Sequence, residues 1–400
     1  MKESPVTKPT VLIFKETLLP ISETFIEAQT RHLSCFVPRY IGLGRVAPSL
    51  VLPSDSILLT SGHSVLAQLR QKLYRRVGLA PRFHRRAASA GASLIHAHFA
   101  SGGRSALPLA RGLRIPLIVT LHGSDVTMRI DFQQRYRDLW EKASVFVCVS
   151  EFIRRKAADA GFPKEKLRVH YIGIDRDVFR PQSEPKQRDV VLFVGRLVEK
   201  KGCAFLLQAM ALVKRSHPGI QAVVIGDGPL RPSLQKLATQ LGISCQFLGA
   251  QPGAIVRHWL SVARVLCAPS VTASNGNSEG LGMVFGEAQA MGTPVVSFRH
   301  GGIPEIVLDG RTGLLAPEGD SQSLAAHILR FREDEHFWQR CVEHGIDWVR
   351  TQFDLKCQTL LLEQFYLDVC PSTRNVDDPE HRLTQSKTCD ARRSGSLCVS

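Results

Sequence analysis

Short apolar runs rich in β-branched residues alternate along the chain with longer segments whose apolar residues recur at helical spacing. This alternation is typical of parallel sheets built from βαβ units, and it predicts an α/β protein. Glycines or polar turns follow most runs, at the strand ends where open α/β sheets bind ligands. The predicted strands are Thr10–Phe14, Leu94–His98, Pro116–Leu121, Val145–Val149, Leu167–Tyr171, Val190–Val194, Ala222–Ile225, Cys245–Leu248, Val265–Ala268 and Pro294–Phe298.

The domain boundary is predicted at 182–189, within the linker-like segment Pro181-Gln-Ser-Glu-Pro-Lys-Gln-Arg-Asp. We therefore expect two Rossmann-like domains, over 1–182 and 189–350, that face each other across a deep cleft. The last helical pattern, Leu355–Val369, predicts a C-terminal helix within 351–370 that packs back toward the N-terminal domain. Residues 371–400 are polar and rich in Ser and Thr, which predicts a disordered tail.

Composition narrows the class of protein. The 400 residues are 44% apolar and 22% charged, which excludes a fibre or a wholly disordered chain. No apolar run approaches the roughly 18 residues of a membrane-spanning helix, and Val11–Phe14 is too short for a signal-peptide core. We therefore expect a cytoplasmic protein. Its ten cysteines form no C-x-x-C pair, which predicts reduced thiols.

The net charge of +15 is concentrated in the N-terminal half, where residues 1–182 hold 28 basic and 14 acidic side chains. Ten basic residues and no acidic residue lie between Asp55 and Asp125, with a cluster at Arg70–Arg86. Apolar residues at helical spacing run through it: Val65, Leu66, Leu69, Leu73 and Val77. Such a helix suits an anionic bilayer, an acidic partner or a solvated face over a core. The lack of acids favours an anionic partner, and no motif supports nucleic acid.

The segment from Ser278 to Val296 carries the most specific chemistry. Gly280 and Gly282 permit close backbone approach to a ligand, and a helix predicted from near Met283 offers its first amides to an anion. Glu279 precedes that turn and Glu287 follows it. Carboxylates grip vicinal hydroxyls of a sugar or ribose, so the layout suits a nucleotide-sugar. Alternatively, Glu287 only supports the start of the helix through its dipole.

A second segment, Phe193-Val-Gly-Arg-Leu-Val-Glu-Lys-Lys-Gly, adds positive charge. Gly195 ends a strand, Arg196 projects from the turn and Lys201 precedes the next helix. Two cations fixed there would neutralise a diphosphate and the charge that develops on it as it leaves.

Together these segments resemble the retaining glycosyltransferases of family 4, which have the GT-B fold. Glu279 and Glu287 match the family's E-x7-E signature, and Arg196 with Lys201 matches its diphosphate-binding pair. Further matches are Leu121-His-Gly-Ser-Asp, Ile172-Gly-Ile-Asp-Arg-Asp-Val-Phe, Gly226-Asp-Gly-Pro and Gly301-Gly-Ile-Pro-Glu. Ser22-Glu-Thr-Phe-Ile and Lys-Lys-Gly are similar to exopolysaccharide transferases of the colanic-acid type.

The resemblance implies roles for these residues. Glu287 would hold the ribose of the donor and Glu279 would contact the donor sugar. The distal phosphate would be bound by Arg196 and Lys201 together with the amides of Gly282, Met283 and Val284. His122 would reach the transferred sugar, with Gly123 and Asp125 shaping its loop. Asp125 could orient His122 or only stabilise the loop.

The acceptor side departs from the family. Many members carry a glycine-rich loop after the first strand, whereas Lys15–Thr24 contains no glycine, so Ser22 and Glu23 are the candidates there. His96 and His98 lie on one face of a strand but have no third ligand, and we predict neither a metal nor another cofactor.

The predicted function is transfer of a hexose, with retention, from a nucleotide-diphospho-sugar to a lipid-linked saccharide in exopolysaccharide biosynthesis, at the inner face of the cytoplasmic membrane. Two alternatives remain at this point. One is a non-catalytic membrane- or polyanion-binding protein on the same fold, and the other is a phosphorylase or epimerase.

Overall fold

The computed structural model describes residues 8–18, 20, 23–45, 50–62 and 64–370, without the side chain of Gln133. Ser22 and the predicted tail 371–400 lie outside the described residues. The described chain forms two compact units. One contains the chain up to Val126, Ile130–Gly173 and the chain from Leu355 onward, and the other contains Thr127–Arg129 and Ile174–Asp354.

The first unit is built on a parallel sheet of seven strands in the order β3-β2-β1-β4-β5-β6-β7. The strands are β1 (Thr10–Leu18), β2 (Val37–Arg45), β3 (Ile57–Leu58), β4 (Ala92–His98), β5 (Leu117–Leu121), β6 (Val145–Cys148) and β7 (Leu167–Val169). The helices are α1 (Thr24–Arg31), α2 (Val65–Val77), α3 (Pro81–Ala88), α4 (Ala100–Leu113), α5 (Ser124–Thr127), α6 (Phe132–Lys142) and α7 (Glu151–Asp159).

The second unit has a parallel sheet of six strands in the order β10-β9-β8-β11-β12-β13. The strands are β8 (Gln187–Val194), β9 (Gln221–Ile225), β10 (Cys245–Gly249), β11 (Ala263–Cys267), β12 (Val295–Phe298) and β13 (Gly313–Ala316). The helices are α8 (Cys203–Val213), α9 (Arg231–Gln240), α10 (Gly253–Val262), α11 (Met283–Ala290), α12 (Ile303–Ile306), α13 (Ser321–Glu333) and α14 (Glu335–Gln352).

All ten predicted strands are present, because continuous apolar runs are buried on both faces of a parallel sheet. The prediction missed β2, β3 and β13. Pro38, Gly42 and Gly44 interrupt the apolar pattern of β2, and β3 has only two residues. In each unit the carboxyl ends of adjacent parallel strands meet at one edge of the sheet, which brings together residues far apart in sequence.

The last helix of the described residues, α15 (Leu355–Val369), has the predicted bounds and belongs to the first unit. Leu362 and Tyr366 on α15 join the core formed by Val11, Ile13 and other strand residues. After Gly173 the chain passes from the first unit into the main segment of the second unit at Ile174, upstream of the predicted linker 182–189. The reason is local: the Ile174 amide donates to the Phe353 carbonyl, N to O 2.6 Å, and Arg176 pairs with Asp354 at 3.2 Å.

Within the described residues, no helix is long and apolar enough to cross a membrane. Of the cysteines in the described part of the chain, seven carry free thiols, as expected: Cys35, Cys148, Cys203, Cys245, Cys267, Cys341 and Cys370. Cys357 is disulfide-bonded, which corrects the expectation of reduced thiols at that position.

Candidate functional site

The carboxyl end of β8 presents the first part of the candidate site in the second unit. Gly195 follows the strand directly, and its amide donates to the Ile225 carbonyl oxygen at the end of β9, N to O 3.0 Å. Gly226 has φ of 136°, and a Cβ there would collide with the Gly195 carbonyl oxygen. The Gly-Asp-Gly-Pro motif therefore lets two strand ends touch and fixes the turn that carries Arg196.

The two predicted diphosphate ligands, Arg196 and Lys201, differ in whether their charged groups are already paired. The guanidinium of Arg196 is exposed and makes no hydrogen bond or ion pair with the residues that the structure describes. Lys201 ends a 3-10 turn (Glu199–Lys201), and its ammonium forms an ion pair with Glu279, which lies 78 residues further along the chain. One cation is thus free to meet a ligand, while the other is already held by a carboxylate.

Glu279 lies in a cationic pocket of the second unit and is only 8% exposed. Besides Lys201, Lys200 approaches with its Nζ 4.0 Å from Oε1, and the Ser270 hydroxyl donates to Oε2 at 3.4 Å. Burial alone would raise the pKa of Glu279, but Lys201 and Lys200 outweigh it and hold that pKa at about 2. The carboxylate is therefore ionised at any physiological pH and accepts hydrogen bonds from hydroxyl groups.

Lys200 is a site residue that the sequence interpretation did not single out. Burial lowers the pKa of its ammonium, and Glu279 opposes that effect. Its backbone oxygen accepts from the Val271 amide, N to O 2.8 Å, so the 3-10 turn is anchored to the loop after β11. The signal that could have found it is its position beside Lys201 in the Lys-Lys-Gly run.

His300 and Glu318 hold the backbone of Glu279 through a chain of two hydrogen bonds. The sequence analysis predicted neither residue. The Glu279 amide lies 3.3 Å from His300 Nε2, and His300 Nδ1 lies 2.8 Å from Glu318 Oε2. This arrangement requires the Nδ1–H tautomer, with Nε2 accepting from the amide. Gly301 follows with φ of 57°, and a Cβ there would collide with the Glu279 carbonyl oxygen. The Gly-Gly-Ile-Pro-Glu motif therefore fixes the backbone of Glu279 rather than supplying a ligand.

The start of α11 is the predicted phosphate-binding part of the candidate site. Gly282 is the N-cap of α11, which begins at Met283 as predicted. The first amides of a helix lack intrahelical acceptors, so those of Gly282, Met283 and Val284 are suited to a phosphate oxygen. Glu287 lies one turn further and is half-buried. Burial raises the pKa of Glu287 to about 7, and the charge of Lys201 partly offsets this.

In the first unit, His122 and Asp125 lie at the carboxyl end of β5. The Asp125 carboxylate accepts from the His122 amide (2.7 Å) and from the Ala100 amide (2.9 Å). It therefore binds backbone rather than the imidazole of His122, which decides between the two roles considered for it: Asp125 stabilises the loop. Burial raises the pKa of Asp125 to about 6, against the lowering effect of these amides.

The imidazole of His122 is held by aromatic neighbours and by a second histidine. His98, at the end of β4, has its Nδ1 3.1 Å from His122 Nε2, and the two rings stack at 5.3 Å. Phe99 and Phe25 lie 4.5 and 5.2 Å from the His122 ring. Burial, with the nearby charge of Lys15, lowers the pKa of His122 to about 3, so the ring is neutral at physiological pH.

Of the two acceptor-side candidates, Ser22 lies outside the described residues and Glu23 is described. Glu23 pairs with Lys15, N to O 3.1 Å, and Lys15 Nζ lies 4.2 Å from the centre of the Phe99 ring.

His96, which was considered as a metal ligand, forms hydrogen bonds with Tyr366 and Thr120, each at 2.7 Å, and is therefore a packed core histidine. Across the described part of the chain, no group of three or more His, Cys, Asp or Glu side chains could hold a metal ion.

Two family models match consecutive parts of the chain. The model "Glycosyltransferase Family 4" matches residues 36–178, and the model "Glycosyl transferases group 1" matches residues 175–348. The chain belongs to the family 4 glycosyltransferases.

Two relatives that are named as glycosyltransferases of polysaccharide biosynthesis support the same family. The amylovoran biosynthesis glycosyltransferase AmsK of Erwinia amylovora is 31% identical over 253 residues, which are 60% of this chain and 61% of AmsK. WcaL of Salmonella typhimurium, named for colanic acid biosynthesis, is 31% identical over 254 residues, 61% of this chain and 63% of WcaL. The matched region thus spans less than two thirds of either relative.

Among solved structures, Anabaena HepE in complex with UDP and glucose matches with a TM-score of 0.72 at 20% identity, over 90% of this chain and 99% of HepE. This similarity supports the fold, and the predicted GT-B class of two parallel α/β sheets is confirmed.

Proposed function

We propose that the protein is a retaining glycosyltransferase that uses a nucleotide-diphospho-sugar donor. The observation that carries this proposal is the cluster in the second unit: free Arg196, the Lys201–Glu279 pair, the first amides of α11 and Glu287. Cations and helix amides suit a diphosphate, and carboxylates on either side suit the hydroxyls of a sugar and a ribose. The structurally similar HepE, which was crystallised in complex with UDP and glucose, agrees with such a donor.

In this proposal the side chains bind and stabilise charge rather than form a covalent bond to the sugar. The diphosphate leaves from the anomeric carbon, and Arg196, Lys201 and the α11 amides stabilise its growing negative charge. A phosphate oxygen takes the proton of the acceptor hydroxyl, which attacks on the same face, so the configuration is retained. Glu279 holds the sugar through its hydroxyls, and neutral His122 offers a hydrogen bond to the transferred sugar.

The acceptor that we propose is a lipid-linked saccharide of exopolysaccharide biosynthesis, and the transferred group is a hexose. The relative AmsK is named for biosynthesis of a polysaccharide, and the basic N-terminal half suits an acceptor held at an anionic membrane. The protein would then work at the cytoplasmic face of the membrane as a peripheral protein.

The test is release of nucleotide diphosphate from a panel of UDP- and GDP-sugars, with retention followed by NMR of the product anomer. Isothermal titration with UDP and GDP identifies the base independently of the acceptor. A protein that binds neither nucleotide and releases none from any donor would contradict the proposal and favour the non-catalytic alternative.

A further inference from the structure

The short segment Thr127–Arg129 belongs to the second unit, whereas Val126 before it and Ile130 after it belong to the first unit. We call Thr127–Arg129 the strap. Its hydrogen-bond partners lie in the segment 268–282 between β11 and α11, where the described chain forms neither helix nor strand. We call that segment the Glu279 loop, after the carboxylate that it carries. The Glu279 loop has no ladder of backbone hydrogen bonds, so its shape depends on contacts of this kind.

Two hydrogen bonds and one close backbone approach join the strap to the Glu279 loop. The Ser278 amide donates to the Thr127 hydroxyl, N to O 3.2 Å, and the Arg129 amide donates to the Asn275 carbonyl oxygen, N to O 3.0 Å. Gly276 lies beside the strap with φ of 85°, and a Cβ there would come within 2.7 Å of the Thr127 carbonyl oxygen. A larger residue at this position would therefore displace the strap from the loop.

The Thr127 hydroxyl acts one residue away from Glu279. Ser278 is only 6% exposed, so its amide needs an acceptor within the protein. The next amide, that of Glu279 itself, donates to His300 Nε2 at 3.3 Å, and the Glu279 carbonyl oxygen accepts from the Gly302 amide at 3.1 Å. The backbone on either side of Glu279 is thus fixed by three hydrogen bonds from two separate segments.

Other side chains hold the first half of the Glu279 loop. Glu199 accepts from the Ser274 amide at 2.9 Å through Oε1 and from the Ser274 hydroxyl at 2.8 Å through Oε2. Glu318 Oε1 accepts from the Thr272 amide, N to O 2.6 Å. These bonds remain when the Thr127 hydroxyl is removed. A change at Thr127 should therefore act on the backbone next to Glu279 and leave the rest of the loop in place.

We propose that Thr127 is a positioning residue for Glu279: its hydroxyl holds the Ser278 amide and thereby sets where the Glu279 carboxylate meets the donor sugar. The inference rests on the proposed function, in which Glu279 binds the sugar through its hydroxyls. A misplacement of about 1 Å at such a group can cost about 10²-fold in rate. Binding of the nucleotide itself is assigned to other groups, Arg196 and Glu287 among them, and does not depend on this bond.

The test uses two substitutions that differ in one oxygen. Thr127→Val keeps the size of the side chain and removes the acceptor, whereas Thr127→Ser keeps the acceptor. Thr127→Val should lower turnover at saturating donor by about tenfold or more and weaken binding of the UDP- or GDP-sugar that the wild type turns over. Its affinity for free UDP or GDP in calorimetry should be unchanged. Thr127→Ser should recover most of the rate.

A second variant and a control accompany this pair. Gly276→Ala disturbs the same contact from the loop side, because its Cβ would press on the Thr127 carbonyl oxygen, and it should give the same separation of sugar binding from nucleotide binding. Thr239→Val, at an exposed position of α9, should change neither. Hydrogen exchange measured by mass spectrometry should become faster at Ser278 and Glu279 in Thr127→Val and stay unchanged in Thr239→Val.

Each outcome decides the role of Thr127. Wild-type turnover in Thr127→Val, or unaltered exchange at Ser278 and Glu279, would overturn the inference. An equal loss of affinity for free UDP and for the UDP-sugar would also overturn it, because Thr127 would then only stabilise the fold. A wild-type protein that turns over no donor would refute the transferase instead, and the exchange measurement would still decide whether Thr127 holds the backbone at Glu279.

Discussion

The Lys201 ammonium is paired directly with the Glu279 carboxylate, across 78 residues of sequence. Lys201 and Glu279 are 18% and 10% exposed at their side chains, so the pair is largely shielded from water. A buried carboxylate that loses its partner is left uncompensated. The pair therefore stabilises the loop geometry and fixes the position of the Lys201 ammonium, which we propose binds the donor diphosphate.

This pairing predicts that the two cations of the candidate site differ in their effect on stability. Lys201→Ala should lower both turnover and the melting temperature, because Glu279 loses its closest cation. Arg196→Ala should lower turnover by about 10²–10³ with an unchanged melting temperature, because its guanidinium has no partner among the residues that the structure describes. Donor turnover at saturating donor and scanning calorimetry check both parts.

Equal melting temperatures for the two variants would contradict the structural role of Lys201. Near-wild-type turnover in both would mean that the diphosphate lies elsewhere.

Glu287 should make donor affinity depend on pH. Its pKa of about 7 is raised above the ordinary 4.5, so the folded protein binds the proton more tightly than the unfolded chain. Stability from this group is therefore present at low pH and is lost as pH rises from about 4.5 to 7. Affinity for nucleotide diphosphate should change in the opposite sense, because only the ionised carboxylate accepts both ribose hydroxyls.

Glu287→Gln isolates this effect. It should weaken nucleotide binding at pH 8 by about tenfold or more and raise the melting temperature there, since an ionised buried carboxylate is removed. The stability gain should vanish near pH 4. Calorimetric titrations and thermal melts at both pH values provide the measurements; unaltered nucleotide affinity at pH 8 would reject Glu287 as the ribose ligand.

Strands and site motifs were predictable where local pattern alone determines them. Apolar runs specify the buried strands, and the Glu279–Glu287 spacing falls on the turn and helix start of α11. The Lys201–Glu279 pair was not predictable, because only tertiary packing brings β8 and the loop after β11 together. The contact between His98 and His122 could have been predicted. The strands β4 and β5 are adjacent and parallel, and His98 pairs with Thr120, two residues before His122.

The orientation of α2 was not predictable from periodicity. Regular spacing of Leu66, Leu69 and Leu73 predicts a helix with an apolar face, and the helix is present. The spacing does not say which face meets the core. Tyr74, a single large side chain with a ring partner in α3, determines the buried side.

His98 should act as a positioning residue for His122. His98→Ala removes the 3.1 Å contact between the two rings, so the His122 ring should lose its fixed orientation. Turnover should fall. The affinity for nucleotide diphosphate should be unchanged, because the candidate donor residues belong to the second unit. His98→Asn, whose amide can replace Nδ1, should recover part of the rate, which a purely structural role would not predict.

NMR titration supplies a second readout. Because burial holds the pKa of His122 at about 3 and that of His98 well below its usual range, both rings should remain neutral from pH 8 to pH 5. Protonation of His122 near pH 6.5 would contradict the buried geometry.

Removing metal ions should leave turnover intact. Arg196, Lys200 and Lys201 supply positive charge beside the α11 amides, the role that a divalent cation has in many phosphate sites. Enzyme dialysed against EDTA should therefore keep its rate with added donor and acceptor. A rate that falls with chelator and returns with Mg²⁺ or Mn²⁺ would show that the diphosphate needs a metal as well.

Glu363 should be the principal anchor of α15 in the first unit. Its Oε1 accepts from the amides of Ser34, Cys35 and Phe36 at 2.9, 2.6 and 3.2 Å, and its Oε2 accepts from the Ser34 hydroxyl at 2.6 Å. The side chain is buried, so Glu363→Ala leaves three amides without their acceptor. We expect a loss of about 3 kcal/mol or more in the free energy of unfolding.

Glu363→Gln distinguishes the hydrogen bonds from the charge. The amide oxygen can still accept from the three backbone amides, so this variant should lose clearly less stability than Glu363→Ala. Gln364→Ala, at the exposed neighbouring position, should change the free energy of unfolding by less than about 0.5 kcal/mol. Urea unfolding of the three variants measures these differences. A Glu363→Ala variant as stable as Gln364→Ala would mean that apolar packing of Leu362 and Tyr366, and not this carboxylate, holds the helix.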